Sequence, residues 1–238
     1  AIQSLATRGG KIQLTAGRFY INNTIVIDRA VTFCGEGSGL AGRNVGNLYG
    51  VLEGITTLRA ESDIDVLRID SASKLRGIKL SDFLLQGFGK DISLKIGIYA
   101  KTTTDVLIIE NVNVTDAGIG VFLFNPDACS LRASSFQWCA LGAVINNAAY
   151  PTIVNCVFAD NNGVDTITVN GTVHTVKTGG LALAASWPIV SNSVFVRNDT
   201  GATPYNSISL LVSNYAKIDN CTINSQKGNG IAIIGSAT

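Results

Sequence analysis

The sequence predicts an all-β chain wound as a single-stranded parallel β-helix, with coils of about 22 residues and three short strands per coil. Three observations predict the solenoid. A strand–bend–strand phrase recurs along most of the chain, a glycine-led strand recurs in step with it, and no stretch carries the 3.6-residue apolar period of a helix. The phrase reads "IIENVNV" around Asn111, "LRASSF" around Ala133, "IVNCVF" around Asn155, "IVSNSVF" around Asn192 and "IDNCTI" around Asn220. Asn111, Ala133 and Asn155 are evenly spaced, and the later steps to Asn192 and Asn220 are longer. That is expected if loops are inserted into a repeating unit. Asp82, in "IKLSDFLL", holds the same place one coil before Asn111, again across a lengthened step. The glycine-led strands begin at Gly97, Gly120, Gly142, Gly180 and Gly230.

Composition agrees with that reading. The 238 residues include 25 Gly and no Met, with hydrophobic residues at 46%, a balance of turn formers and β-branched residues that suits strands. A chain of this length buries a core as one domain. The net charge is +1, which gives no electrostatic case for nucleic acid or for insertion at an anionic membrane. The apolar runs fall far short of a membrane span.

Taken in order, residues 1–60 supply the opening strands and a Gly-rich loop, and residues 75–238 the repeat coils. Gly37, Gly39 and Gly42 match G-x-G-x-x-G, but a nucleotide site needs a helix next, and further glycines follow instead. Equivalent side chains of stacked coils form columns about 4.8 Å apart. Ile109, Leu131, Ile153, Ile189 and Ile218 are expected to form one inward column, and Val114, Phe136, Phe158, Phe195 and Ile223 a second. The gap between the two columns breaks strict alternation and requires a bend. Asn tolerates the left-handed backbone there, and its amide can bond along the stack. In the longest step, "DTITVNGTVHTV" is a hairpin signal around Asn170 and Gly171, an inserted arm over 165–178. It is read as covering an edge or clamping a neighbouring subunit, or else as walling a glycan groove. The five cysteines show no Cys-x-x-Cys and are read as small buried thiols rather than disulfides or metal ligands. No cofactor or metal is expected. Asn-x-Ser/Thr triplets at Asn113, Asn170 and Asn220 are read as chance, with Asn220 expected to point inward. The last residues, "GNGIAIIGSAT", follow a repeat strand without a cap signal, so a segment of a longer chain, or an end covered by a neighbour, is expected.

The opening phrase "AIQSLATRGGKIQLTAGRFYINNTIVIDRAVTFCGEGSG" resembles the start of pectin-lyase-like right-handed parallel β-helix proteins. Ala1, Ile2, Gln3, Gly9, Gly10, Gly17, Tyr20, Ile21, Gly35 and Gly37 carry the likeness. It covers about a sixth of the chain, and the repeats extend it. Within that superfamily the phrase is most like bacteriophage tailspike and tail-fibre proteins. The resemblance implies a right-handed coil and a virion homotrimer that contacts host surface polysaccharide. Its alternatives are a secreted or virion-borne polysaccharide hydrolase or lyase and a structural spacer.

Candidate chemistry is sparse. Asp116, Trp138, Asp160 and Arg197 hold equivalent places five positions after the bend. Asp116 and Asp160, two coils apart, stand roughly 9–10 Å from each other by strand spacing, close to the separation of an inverting glycosidase pair, with an aromatic between them. They are the candidate catalytic residues, although Asp and Asn are also ordinary turn formers. The outward positions of the glycine-led strands carry no acid, so the paired aspartates and calcium-binding acids of familiar relatives are missing there. Phe122, Phe124, Val144, Leu211 and Ile234 on that face predict an exposed apolar stripe, read as a subunit contact. Tyr99, Phe122 and Phe124 are alternatively sugar-stacking residues. With Trp138, His174, Lys177 and Arg197 they complete the candidate substrate-binding set.

Overall fold

The computed structural model describes residues 9–39, 54–90, 94–101, 104–169, 171–199, 203–211, 215–224 and 227–234. Ala1, Ile2 and Gln3 of the opening phrase, Gly42 of the Gly-rich loop and Asn170 of the hairpin turn lie outside them. The described residues form strands, bends and turns without a helix. Parallel pairing joins residues one coil apart in sequence, so that 14 strands make one sheet and nine another. Strands from Gly10 onward join this stack, with Gly10–Gln13 paired to Val31–Cys34.

The bend is where the sequence predicts it. Asp82, Asn111, Ala133, Asn155, Asn192 and Asn220 all adopt left-handed backbone, with φ between 45° and 63°. Asn111 Nδ2 donates to Asp82 Oδ1 at 2.8 Å and Asn220 Nδ2 to Asn192 Oδ1 at 2.6 Å. These amides bond between coils, as the ladder requires. Asn220 is exposed rather than inward, because a left-handed residue at a corner turns its side chain away from the lumen.

The inward columns fill the lumen. Phe136, Phe158 and Phe195 are fully buried and stack with centroids 5.1 and 4.8 Å apart, the spacing that the coils impose. In the other column Val190, not Ile189, pairs with Ile153 and Ile218. Ile189 faces outward and is exposed. Inward residues precede the bend by two positions, and only Val190 keeps that count from Asn192.

The glycine column marks close approach between coils. A Cβ on Gly120 would lie 2.4 Å from the carbonyl oxygen of Gly142, and one on Gly142 would lie 2.6 Å from that of Gly180. Cys139 and Cys156 occupy another confined place, immediately beyond a left-handed corner. There Cys156 shares a column with Ser134 and Ser193, and Cys139 shares one with Ala117 and Asn161. All five thiols are free. Burial pushes Cys129 and Cys139 up to about 12 and Cys156 up to about 11.

The hairpin is present. Val164–Val169 pairs antiparallel with the start of Thr172–Ala185, and Val169 faces Thr172 across a two-residue connection. The arm decides the fate of the apolar stripe. Tyr99, Phe122, Val144 and Ala182 do stand in outward register. They are nevertheless buried, in a second apolar cluster completed by Ile167 and Val176 of the arm, with Phe124 and Leu211 packed at its margin. Ile234 is half-buried as well. The expected exposed stripe is thus corrected. The strand parity holds, but the chain's own inserted arm folds back over the face and takes its apolar surface out of water.

Candidate functional site

A left-handed corner is built wherever the backbone turns out of the second short strand. Asp116, Trp138, Asp160 and Arg197 occupy it with φ between 50° and 56°. Register extends the corner in the other direction through Gly87 to Ala60, because Arg59 pairs with Gln86 and Gln86 with Thr115. Successive coils from Ala60 to Arg197 therefore present one edge. Just inside it, the buried amide of Asn161 donates to Asn198 Oδ1 at 2.8 Å and accepts from the Cys139 N–H at 2.9 Å. This second ladder holds the edge straight from within.

An open cavity of about 240 Å³ lies at the first half of this edge, lined by Arg59, Ala60, Glu61, Gln86, Gly87, Phe88, Gly89 and Asp116. Gln86 Nε2 donates to Asp116 Oδ2 at 3.4 Å, and Arg59 Nε meets Glu61 Oε1 at 3.4 Å. Phe88 projects its ring, half exposed, beside these polar groups. The loop that carries Phe88 runs on along the edge, and Lys90 Nζ donates to Asn162 Oδ1 at 2.9 Å on the coil of Asp160. The cavity thus combines two carboxylates, a guanidinium, an amide and one aromatic wall. Such convergence of polar groups on an apolar surface is what a small-molecule or sugar site requires.

The structure gives the two candidate aspartates different surroundings. Asp116 borders the cavity. Asp160 receives both Nε and Nη2 of Arg197, at 2.6 and 2.7 Å, a bidentate charge-assisted pair. The same pair raises the Arg197 pKa above its ordinary value, chiefly through the hydrogen bond to Asp160. Both Asp160 oxygens thus accept from Arg197, and Asp160 is not among the residues that line the cavity. Trp138, half-buried, stands between the two aspartates. Tyr99 and Phe122 pack edge to face at 5.7 Å beneath the arm, and the His174 ring lies 6.0 Å from that of Phe122. Lys177 is exposed at the base of the arm. The candidate set is therefore split between the edge and the covered face.

Glu61, Arg59, Gln86 and Phe88 were not legible as a group in the sequence. Each belongs to a coil with a loop of its own length, so no common spacing links them to Asp116. Among the described residues no three His, Cys, Asp or Glu side chains gather to hold a metal.

The comparisons with known proteins agree with this geometry at the level of fold. A family described as "Right handed beta helix region" matches residues 96–238. No curated protein matches the chain. Among solved structures it is similar to the catalytic domain of a GH87 alpha-1,3-glucanase variant in complex with tetrasaccharides. That match has 15% identity and a TM-score of 0.53 over 89% of this chain and 40% of that one. A second variant of such a domain, in complex with nigerose, matches at 16% identity and a TM-score of 0.51 over the same shares. The chain thus spans 40% of the length of those structures, and likeness at this identity is likeness of fold. The fold is a right-handed parallel β-helix, and with more than half of its length matched, the chain belongs to the right handed beta helix region family.

Proposed function

We propose that this β-helix binds polysaccharide along the edge from Arg59 to Arg197. The observation that carries the reading is the open cavity in which Glu61, Asp116, Gln86 and Arg59 converge around the Phe88 ring. Sugars offer hydroxyls to carboxylates and amides and an apolar C–H face to an aromatic ring, and this wall supplies both kinds of partner. In its fuller form the reading makes the chain part of a phage tailspike or tail fibre, a virion homotrimer that contacts host surface polysaccharide. The likeness of the opening phrase to such proteins supports that form. The buried stripe no longer argues for a trimer, so any subunit contact must use another surface.

The test is affinity electrophoresis through gels containing single polysaccharides, neutral and acidic, with α-1,3-glucan oligosaccharides as soluble competitors. Phe88→Ala and Asp116→Asn are expected to lose retention at least tenfold while the circular dichroism spectrum is unchanged. Retention unchanged in both variants refutes the edge as the binding site. Light scattering tests the homotrimer.

A second reading, glycoside hydrolysis, is favoured by one observation. Glu61 and Asp116 line the open cavity from coils two apart, a step of roughly 9–10 Å along the stack, whereas Trp138 occupies the coil between Asp116 and Asp160. An inverting pair needs about that separation to admit a water. Shortened oligosaccharides in the wild type, absent in both Glu61→Gln and Asp116→Asn, are the expected product pattern. Intact glycan after long incubation excludes it.

A further inference from the structure

Three exposed aromatic residues stand in register on the opposite limb of the same sheet. Thr152 pairs with Ile189, and Ile189 with Lys217. Counting back two positions aligns Tyr150, Trp187 and Tyr215 on successive coils. They are 61%, 47% and 75% exposed, unusual values for side chains of this size. Trp187 and Tyr215 stack face to face, with centroids 4.2 Å apart and planes within 8°. Neither inward packing nor the arm explains them, and none belongs to the edge described above.

Their surroundings narrow the choice of ligand. Lys217 pairs with Asp219 at 3.4 Å, and beyond the strip's other end Lys74 pairs with Asp105 and Asp127. Charges flanking the rings are compensated within the chain, so the strip offers neither a phosphate site nor a polyanion track. On the same face Thr152 stands beside Tyr150, its Oγ1 donating to Ser130 Oγ at 2.9 Å, and the exposed Ile189 stands beside Trp187. The exposed ring surface amounts to about 350 Å², well under the roughly 800 Å² that each partner of a stable protein complex buries. The strip is also narrow, one side chain wide except where the exposed Ile189 adjoins Trp187. It is too narrow for a second copy of this chain, but its form suits an extended, uncharged chain with alternating apolar faces and hydroxyl rims.

We propose that Tyr150, Trp187 and Tyr215 form a platform for a neutral polysaccharide, separate from the Arg59–Arg197 edge. This rests on the polysaccharide reading above and adds a second contact of a different chemical kind, stacking without charge. Trp187 and the outer side of Tyr215 take the sugar faces, and the Tyr hydroxyls and the indole N–H take the rims.

The chain's two tryptophans separate the two sites. Trp138→Phe leaves Trp187 to report the platform, and Trp187→Phe leaves Trp138 to report the edge. Each protein is titrated with dextran, laminarin and polygalacturonate while tryptophan emission and light-scattering mass are followed. The platform predicts a saturable change at Trp187 with dextran or laminarin and none with polygalacturonate, without a change in mass. It also predicts at least tenfold weaker binding in Tyr215→Asn, which keeps a residue suited to the left-handed backbone there. A silent Trp138 beside a responding Trp187 refutes the edge and leaves the platform standing. A silent Trp187 with all three glycans overturns the platform. So does a response confined to polygalacturonate. A mass that rises with protein concentration, and falls to monomer in Trp187→Ala, overturns it in favour of self-association.

Discussion

Replacing Phe158 by alanine tests both the lumen packing and the edge it supports. The ring is fully buried and lies between Phe136 and Phe195, with centroid separations of 5.1 and 4.8 Å. Truncating a buried Phe costs about 3–5 kcal/mol, and each lost aromatic pair adds about 0.5–1.5 kcal/mol beyond area burial. Flanking rings held by coils above and below cannot collapse into the gap, so the cost belongs at the upper end, about 5 kcal/mol. That is a large share of the stability of an ordinary domain. Urea unfolding followed by circular dichroism and by tryptophan emission gives the difference. Because Trp138 and Asp160 each follow a ring of this column by two positions, Phe158→Ala should also weaken polysaccharide retention, while Phe158→Leu restores most of both. A loss under about 2 kcal/mol, below the usual cost of such a truncation, would refute the stacked column as a stabilising element.

Further outcomes follow from single positions. Ala133 holds left-handed backbone at φ 45° in a column where Asn111 and Asn155 stand on either side. Ala133→Asn should therefore raise stability by about 0.5–1 kcal/mol in the same urea assay. Gly142→Ala places a Cβ 2.6 Å from the Gly180 carbonyl oxygen. The result should be a loss above about 3 kcal/mol or failure to accumulate folded protein, read by circular dichroism. With burial pushing Cys129 and Cys139 to about 12 and Cys156 to about 11, only about 1 in 1,000 of these thiols or fewer ionise at pH 8. Iodoacetamide at that pH should label the half-buried Cys221 first, with Cys129, Cys139 and Cys156 reacting only in denaturant, as peptide mass mapping will show. Ile167→Asp puts a charge into the contact between the arm and the face beneath it. It should leave the coil spectrum intact but open the Phe122 face to a fluorescent apolar dye. No gain in dye binding would contradict the covering role of the arm.

What the sequence alone determined is the solenoid and its columns. A side chain that recurs once per coil meets itself about 4.8 Å away, so spacing in the chain converts directly into contact in space. The Asn bends, the Phe column, the glycine slots and the shared corner of Asp116, Trp138, Asp160 and Arg197 all followed from counting. Even the misplaced inward Ile189 is a slip of one position, repaired at Val190. Tertiary structure decided what covers each face and which unrelated residues meet. Period and parity specify that Phe122 points away from the lumen, but not that a hairpin inserted in a later coil returns to bury it. The cavity likewise gathers Arg59, Glu61, Phe88 and Asp116 from coils whose inserted loops differ in length. The pairing of Asp160 with Arg197 depends on the rotamers of two neighbours in one column. Tyr150, Trp187 and Tyr215 are in register only once the insertions that lengthen the later coils have been closed. Stacking distance is a property of the repeat, whereas coverage is a property of the insertions that interrupt it.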